Sequence, residues 1–262
     1  MAEEKATYWN TVAKAWQDER PQVLWRAHSD QVYKALLGRW LHDGPVKHLL
    51  KTDMFDESVG EGLYPTLSLR AENVVGIDVS PLILGVAGSR YNALRPVGAD
   101  TRCLPFADGV FDVVFSNSTL DHFESEDEII VSLRELRRVL REGGQMILTL
   151  DNLANPIIAL RNALPFWLLH RLGILPYYVG ATLESRRLQA VLRQLNFEVV
   201  EVSGLIHFPR IVAVIIGGIL EKYGGAKIQR GFLRFLLAFE TLSKLPTRFI
   251  TGHFVAVRAI KG

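Results

Sequence analysis

Asp78 and Asp100 each close a short apolar run, the placement in which a sheet can put a carboxylate to chemical use. Asp78 follows Val74-Val75-Gly76-Ile77, and Asp100 follows Pro96-Val97-Gly98-Ala99. In a parallel α/β sheet ligands bind beyond the carboxyl ends of the strands, and an acid there can accept two hydrogen bonds from a ribose diol. A second acid one strand over can receive an exocyclic amine, so the pair outlines an adenosine slot. The next apolar run, Phe111-Asp112-Val113-Val114-Phe115, ends in Ser116-Asn117-Ser118, polar groups expected to face the same crevice. Just beyond lies Asp121-His122, the best candidate for a base or a positioning pair, because imidazole titrates near neutrality and a carboxylate can orient it. Adjacent helical residues do not face each other, so the competing expectation is that Asp121 caps a turn and His122 covers the ligand. His207 with Arg210 is a weaker candidate for substrate contact.

The elements that must position these groups follow from periodicity. Residues 7–42 carry Tyr8, Trp9, Val12 and Trp16, then Val32, Leu36, Leu37 and Trp40, at helical spacing broken at Pro21. They predict helices that cap the crevice, with the aromatic side chains serving as core rather than as substrate contacts. A helix is expected over 82–90. Another opens after Ser125, a candidate N-cap followed by acids in the first turn. Glu142-Gly143-Gly144 reads as a helix stop before a strand at 145–150. With strands at 46–50, 197–202 and 254–260, the alternation argues for a mainly parallel sheet.

The segments GIDVSP, ADTRCLPFADGVFDVVFSNSTLDHF and LRELRRVLREGGQMILTL resemble class I S-adenosylmethionine-dependent methyltransferases of the small-molecule, type 11 family, over about residues 45–150. The resemblance implies a Rossmann-like α/β sheet, mostly parallel with an antiparallel last strand, helices on both faces and helical cap insertions. It implies S-adenosyl-L-methionine as cofactor, with Asp78 on the ribose, Asp100 on the adenine amine beside the Thr101 backbone, and Asn117 at the methionine side. Such proteins open with an acid and a compact glycine turn, D-x-G-x-G-x-G. Here the corresponding acid is Asp53, and Gly60 and Gly62 stand 18 and 16 residues before Asp78, where turn glycines are expected. The longer, acidic 53–62 loop leaves an alternative standing: a non-catalytic binding or scaffold protein on the same fold. A nicotinamide dehydrogenase would need Gly-x-Gly-x-x-Gly, and Pro65 stands where the third glycine belongs.

Composition fits a single domain over 1–262: a helical cap at 1–44, a cofactor-binding core at 45–150, and substrate-side insertions at 151–196 and 205–252. The net charge of +2 is unevenly divided. Residues 1–150 hold 16 Lys and Arg against 22 Asp and Glu, whereas 151–262 hold 14 against 6. An acidic half suits a sulfonium cofactor, and a basic half suits an anionic acceptor or an anionic membrane face. The 205–252 insertion is rich in Ile, Val, Leu and Phe. It is expected to close an apolar acceptor pocket, with Ile215 on its wall, or else to serve as peripheral membrane contact or homodimer interface. The expected acceptor is a small, lipophilic or partly anionic metabolite. No concentrated basic stripe points to nucleic acid, and no metal-ligand cluster is evident. The single cysteine, Cys103, reads as a small buried hydrophobe. The absence of an apolar signal segment behind Met1-Ala2-Glu3-Glu4-Lys5 argues for a cytoplasmic protein.

Overall fold

Neighbouring residues of each central strand feed opposite faces of one sheet. Leu49, Val113 and Ile147 enter one core, and Leu50, Val114 and Leu148 the other. This is the period-two alternation of a strand, and it obliges helices to cover both faces. The computed structural model describes residues 2–19, 22–41 and 46–262, so the helix break expected at Pro21 lies outside the described residues. The strands are β1 (Val46–Lys51), β2 (Ala71–Asp78), β3 (Arg95–Gly98), β4 (Phe111–Asn117), β5 (Leu140–Asp151), β6 (Phe197–Leu205) and β7 (Phe254–Lys261). Their order is β3-β2-β1-β4-β5-β7-β6. β1 to β5 pair in parallel, and β7 runs antiparallel to both β5 and β6. The chain reverses its direction of strand addition between β1 and β4, which opens a crevice at their carboxyl ends.

Helices α1 (Ala2–Glu19), α2 (Val23–Trp40), α3 (Phe55–Val59), α4 (Tyr64–Ser68) and α5 (Pro81–Arg90) precede β3. α6 (Glu126–Val139) joins β4 to β5, and α7 (Pro156–Ala163), α8 (Phe166–Arg171) and α9 (Ser185–Gln194) lie between β5 and β6. Between β6 and β7 come α10 (Arg210–Tyr223), α11 (Ala226–Ala238) and α12 (Arg248–Thr251). Leu36 and Leu37 of α2, Ile83 of α5, Ala213 of α10 and Leu236 of α11 belong to the first core; Ile129, Leu133 and Leu136 of α6 and Leu188 of α9 belong to the second. Ser80 and Ser125 cap α5 and α6, their Oγ atoms accepting from the N–H of Ile83 (3.1 Å) and Glu128 (3.3 Å). Each cap satisfies an N–H that has no partner within its helix.

Two local expectations are corrected. α6 already ends at Val139, so Glu142-Gly143-Gly144 is not a helix stop but a bulge inside β5, where pairing jumps from Phe111↔Leu140 to Val113↔Gln145. Gly143 takes φ +69°, and a Cβ on Gly144 would stand 2.7 Å from the Arg141 carbonyl oxygen, so the bulge needs both glycines. Cys103 is exposed rather than buried; the neighbouring Leu104 turns into the second core instead.

Candidate active site

The carboxyl ends of β2, β4 and β5 deliver Asp78, Asn117 and Asp151 to one cleft, joined by Thr52 and Asp53 beyond β1 and by Asp100 and Thr101 beyond β3. Asp121 and His122, on a one-turn 3₁₀ segment after β4, line the same space. The adenosine-slot residues and the Asp121-His122 pair therefore converge, although 44 positions separate Asp78 from His122. Asp78 accepts from the N–H groups of Ser80 (2.8 Å) and Met54 (3.3 Å). Desolvation, reinforced by Asp53, nevertheless pushes its carboxyl up to about 7. At Asp100 burial alone would raise the pKa, but the Arg102 guanidinium (2.9 Å) and N–H (2.9 Å) hold it below the usual carboxylate range. Asn117 Oδ1, Ser118 Oγ and Asp121 Oδ1 are buried at this wall with no hydrogen-bond partner among the described residues. Ser118 also takes φ +48°. Unpaired buried polar atoms and backbone strain of this kind collect at ligand sites.

The loop after β1 departs furthest from the expected glycine turn. The chain leaves Lys51 through Thr52, Asp53 and Met54 straight into α3, and the cleft is lined here by Thr52, Asp53, Phe55 and Asp56. The structure does not bring Gly60 and Gly62 to the cleft; they lie beyond α3. Gly62 has φ +65°, and a Cβ there would stand 2.7 Å from the Glu57 side chain, so glycine serves the buried Glu57. Glu57 Oε1 accepts from the N–H groups of Leu63 (2.9 Å) and Tyr64 (3.1 Å), while Oε2 accepts from Lys51 Nζ at 3.0 Å. Lys51 and Glu57 are both fully buried and so form an internal ion pair beneath the loop. Met54, also fully buried, packs over β2 where Gly76 leaves room: a Cβ on Gly76 would lie 2.1 Å from the Met54 sulfur. Close packing and a buried salt bridge thus shape a turn that glycines were expected to shape.

His122 Nδ1 lies 2.8 Å from the Tyr178 carbonyl oxygen. A carbonyl can only accept, so Nδ1 carries the proton and neutral His122 keeps its lone pair on Nε2. Asp121 does not hydrogen-bond to His122; desolvation, with the nearby Asp151 adding to it, raises its carboxyl to about 6. The pair is therefore not a dyad. The ring of His122 instead packs edge-on against Trp9 (4.8 Å between centroids) and Tyr177 (5.6 Å).

Those aromatic neighbours line the cleft, and Trp16, buried as expected of a core residue, borders it as well. Trp9 and Trp16, expected as core, border the cleft, as do Trp25, Tyr33, Tyr177, Arg26, Asp30, Arg161 and Arg210. An i, i+7 spacing such as Trp9–Trp16 marks one face of a helix but does not say whether that face meets protein or ligand. Arg161 pairs with Asp151, and Arg26 reaches Asp56 at 3.4 Å. Arg210 donates to the Tyr177 hydroxyl at 2.9 Å and lies 5.7 Å from the centres of the Trp25 and Tyr177 rings; among the described residues no carboxylate pairs with it. His207 is not at the cleft. Its Nε2 faces the Gly204 carbonyl oxygen (3.2 Å) and its Nδ1 the Thr251 hydroxyl (2.7 Å), so both nitrogens are occupied in packing. Ile215 is 58% exposed and does not form the pocket wall expected of it, because α10 turns Ala213 and Gly217 inward instead.

These titrations predict a pH dependence. The Asp78 carboxyl is raised in the folded protein, so its contribution to stability is full below the unfolded value of about 3.9 and is lost as pH rises through about 7. A ribose diol donates to the ionised form, so adenosine binding should release a proton. Affinity for S-adenosylhomocysteine should climb between pH 5.5 and 7.5, by up to about tenfold per unit, and level off above. Calorimetric titration in two buffers of different ionisation enthalpy measures the proton release directly; a flat profile contradicts the assignment.

The methyltransferase domain family of type 11 matches residues 56–148. The match begins at Asp56, inside the irregular 53–62 loop. A tRNA (carboxymethyluridine(34)-5-O)-methyltransferase from Xenopus tropicalis is 31% identical over 75 residues, which is 29% of this chain and 12% of that protein. The chain spans 12% and 37% of the lengths of the curated relatives it matches. Among solved structures, a possible histamine N-methyltransferase from Thermotoga maritima superposes over all of both chains with a TM-score of 0.61 at 14% identity. The N-methyltransferase NodS from Bradyrhizobium japonicum, bound to S-adenosylhomocysteine, superposes over 90% of this chain and 85% of that one, with a TM-score of 0.52 at 14% identity. The sheet has the fold of class I S-adenosylmethionine-dependent methyltransferases, and within it residues 56–148 match the type 11 methyltransferase domain. The unpaired polar atoms and desolvated carboxylates of the cleft are chemically suited to hold the S-adenosyl-L-methionine that this domain type uses.

Proposed function

We propose that this protein transfers a methyl group from S-adenosylmethionine to a small, lipophilic metabolite carrying an anionic group. The observation that carries the reading is one cleft in which acidic strand ends face a wall of Trp9, Trp16, Trp25 and Tyr177 with Arg210 among them. Asp78 would hold the ribose diol, Asp100 with the Thr101 backbone the adenine, and Asp53 with Asn117 the amino-acid end. Bound there, the cofactor supplies a methyl carbon already activated by its sulfonium, so the protein's contribution is alignment and exclusion of water. The aromatic rings give an apolar acceptor its surface. Arg210, with most of its five N–H donors unused, meets the anionic group. If the attacking atom arrives protonated, Nε2 of His122 is the acceptor for that proton, and Tyr178 fixes the tautomer that leaves it free.

Incubating the protein with isotopically methyl-labelled S-adenosylmethionine and a fractionated pool of small anionic metabolites, followed by mass spectrometry, tests this reading. A labelled product is expected. His122→Gln should then lower kcat by about 10²–10⁴-fold for a hydroxyl acceptor with little change in cofactor affinity, the range for loss of a general base. Cofactor binding without labelled product from any fraction would favour the non-catalytic alternative.

A further inference from the structure

α10 carries an unpartnered face. Ile211 (46% exposed), Val212 (42%), Ile215 (58%), Ile216 (36%), Ile219 (54%) and Tyr223 (75%) recur at the spacing of a single helix side. The opposite side is packed: Ala213 is fully buried, and Gly217 lies against Leu24 of α2 and Phe232 of α11. Exposed Ile228 and Phe235 extend the apolar surface onto α11.

The charge around this surface is one-sided. Residues 206–253 contain seven Lys and Arg and only two acids, Glu221 and Glu240. Both acids are turned to internal work. Glu221 accepts from the Leu24 N–H at 2.7 Å, and Glu240 from the N–H groups of Ile206 (3.1 Å) and His207 (3.0 Å). Lys222, Lys227, Arg230 and Arg234 remain exposed. A stripe of large apolar residues rimmed by cations is the composition of a helix that lies in the plane of an anionic lipid surface. At 14 residues α10 extends roughly 21 Å, short of the roughly 30 Å hydrocarbon core, and no described helix is long and apolar enough to cross a membrane. Pairing this face with a second copy would set two basic rims against each other, which disfavours a dimer.

We propose that the outer face of α10, extended by α11, docks on an anionic phospholipid bilayer. No residue of the stripe lines the cleft, so the docking stands apart from the methyl-transfer reading and fails or holds independently of it.

Co-sedimentation of the full chain with phosphatidylcholine vesicles, with and without phosphatidylserine, tests the proposal. Binding is expected to the anionic vesicles and to weaken as salt is raised. The double variant Ile215→Glu/Ile219→Glu should lose about tenfold or more in vesicle affinity, and Lys227→Glu/Arg230→Glu should lose a comparable factor. Both should keep the parent melting temperature and cofactor affinity, since the altered side chains are exposed. No association of the parent chain with anionic vesicles would overturn the proposal, as would equal association of the Ile215→Glu/Ile219→Glu variant. A concentration-dependent dimer in sedimentation equilibrium that Ile215→Glu dissociates would overturn it in favour of a second copy.

Discussion

Replacing Asp78 by alanine should weaken cofactor binding by roughly 2–4 kcal/mol, about thirty- to a thousandfold, while leaving the apo fold intact. The size follows from removing two charge-assisted hydrogen bonds to a diol, each contributing about 1.5–3 kcal/mol and not fully additive. The sparing of the fold follows from the environment. Asp78 is ionised in the apo protein against a desolvation that raises its pKa to about 7, so near pH 8 removal relieves as much as it costs. Asp78→Asn separates the terms further, because it keeps the shape and abolishes the titration. Its apo melting temperature should equal or exceed that of the parent at pH 8, and its affinity for S-adenosylhomocysteine should lose the pH dependence below 7. Unchanged affinity in both variants would remove Asp78 from the cofactor site.

Glu57→Ala is expected to be the most destabilising single change in the irregular loop, at about 3–5 kcal/mol, the range for breaking a buried ion pair from one side. It strands Lys51, fully buried with its charge, and leaves the N–H groups of Leu63 and Tyr64 without their acceptor. Because the same network sets the course of Thr52-Asp53-Met54, cofactor affinity should fall along with stability. Lys51→Met/Glu57→Leu distinguishes charge from shape. Replacing both ions by apolar groups should recover much of the loss, since the desolvation cost disappears with the charges. Denaturant unfolding of the three proteins measures the effect; a Glu57→Ala loss below about 1 kcal/mol would show that the pair contributes little.

Much of the fold and half of the site were legible in the amino-acid order. Apolar runs ending in Asp78, Asp100 and Asn117 announced strand tips, because a strand's alternation and length are local properties of the chain. Those three residues, with Asp53, Thr101, Asp121 and His122, do meet in one cleft. Local spacing could not show that Gly60 and Gly62 stand away from it. A glycine pair signals backbone freedom, and the use of that freedom is set by what approaches it, here the Glu57 side chain. Nor could it show that Gly76, in the middle of a strand, makes room for a methionine from another segment.

The amino-acid sequence by itself determined the strands, the helices that follow Asp78 and Ser125, the acids at the strand ends and the division into acidic and basic halves. These depend on neighbours within a few residues or on composition alone. The tertiary structure decided which face of each helix meets the cleft, the core or the solvent. Trp9 and Trp16 line the cleft while Trp40 is buried in the core, yet all three occupy similar helical patterns. Arg210 enters the site and Ile215, five residues on, leaves it, because α10 docks on α2 through Ala213 and Gly217. Such choices are made by packing between segments far apart in the chain, and hydrophobic burial, being non-directional, records only that a face is covered and not by what.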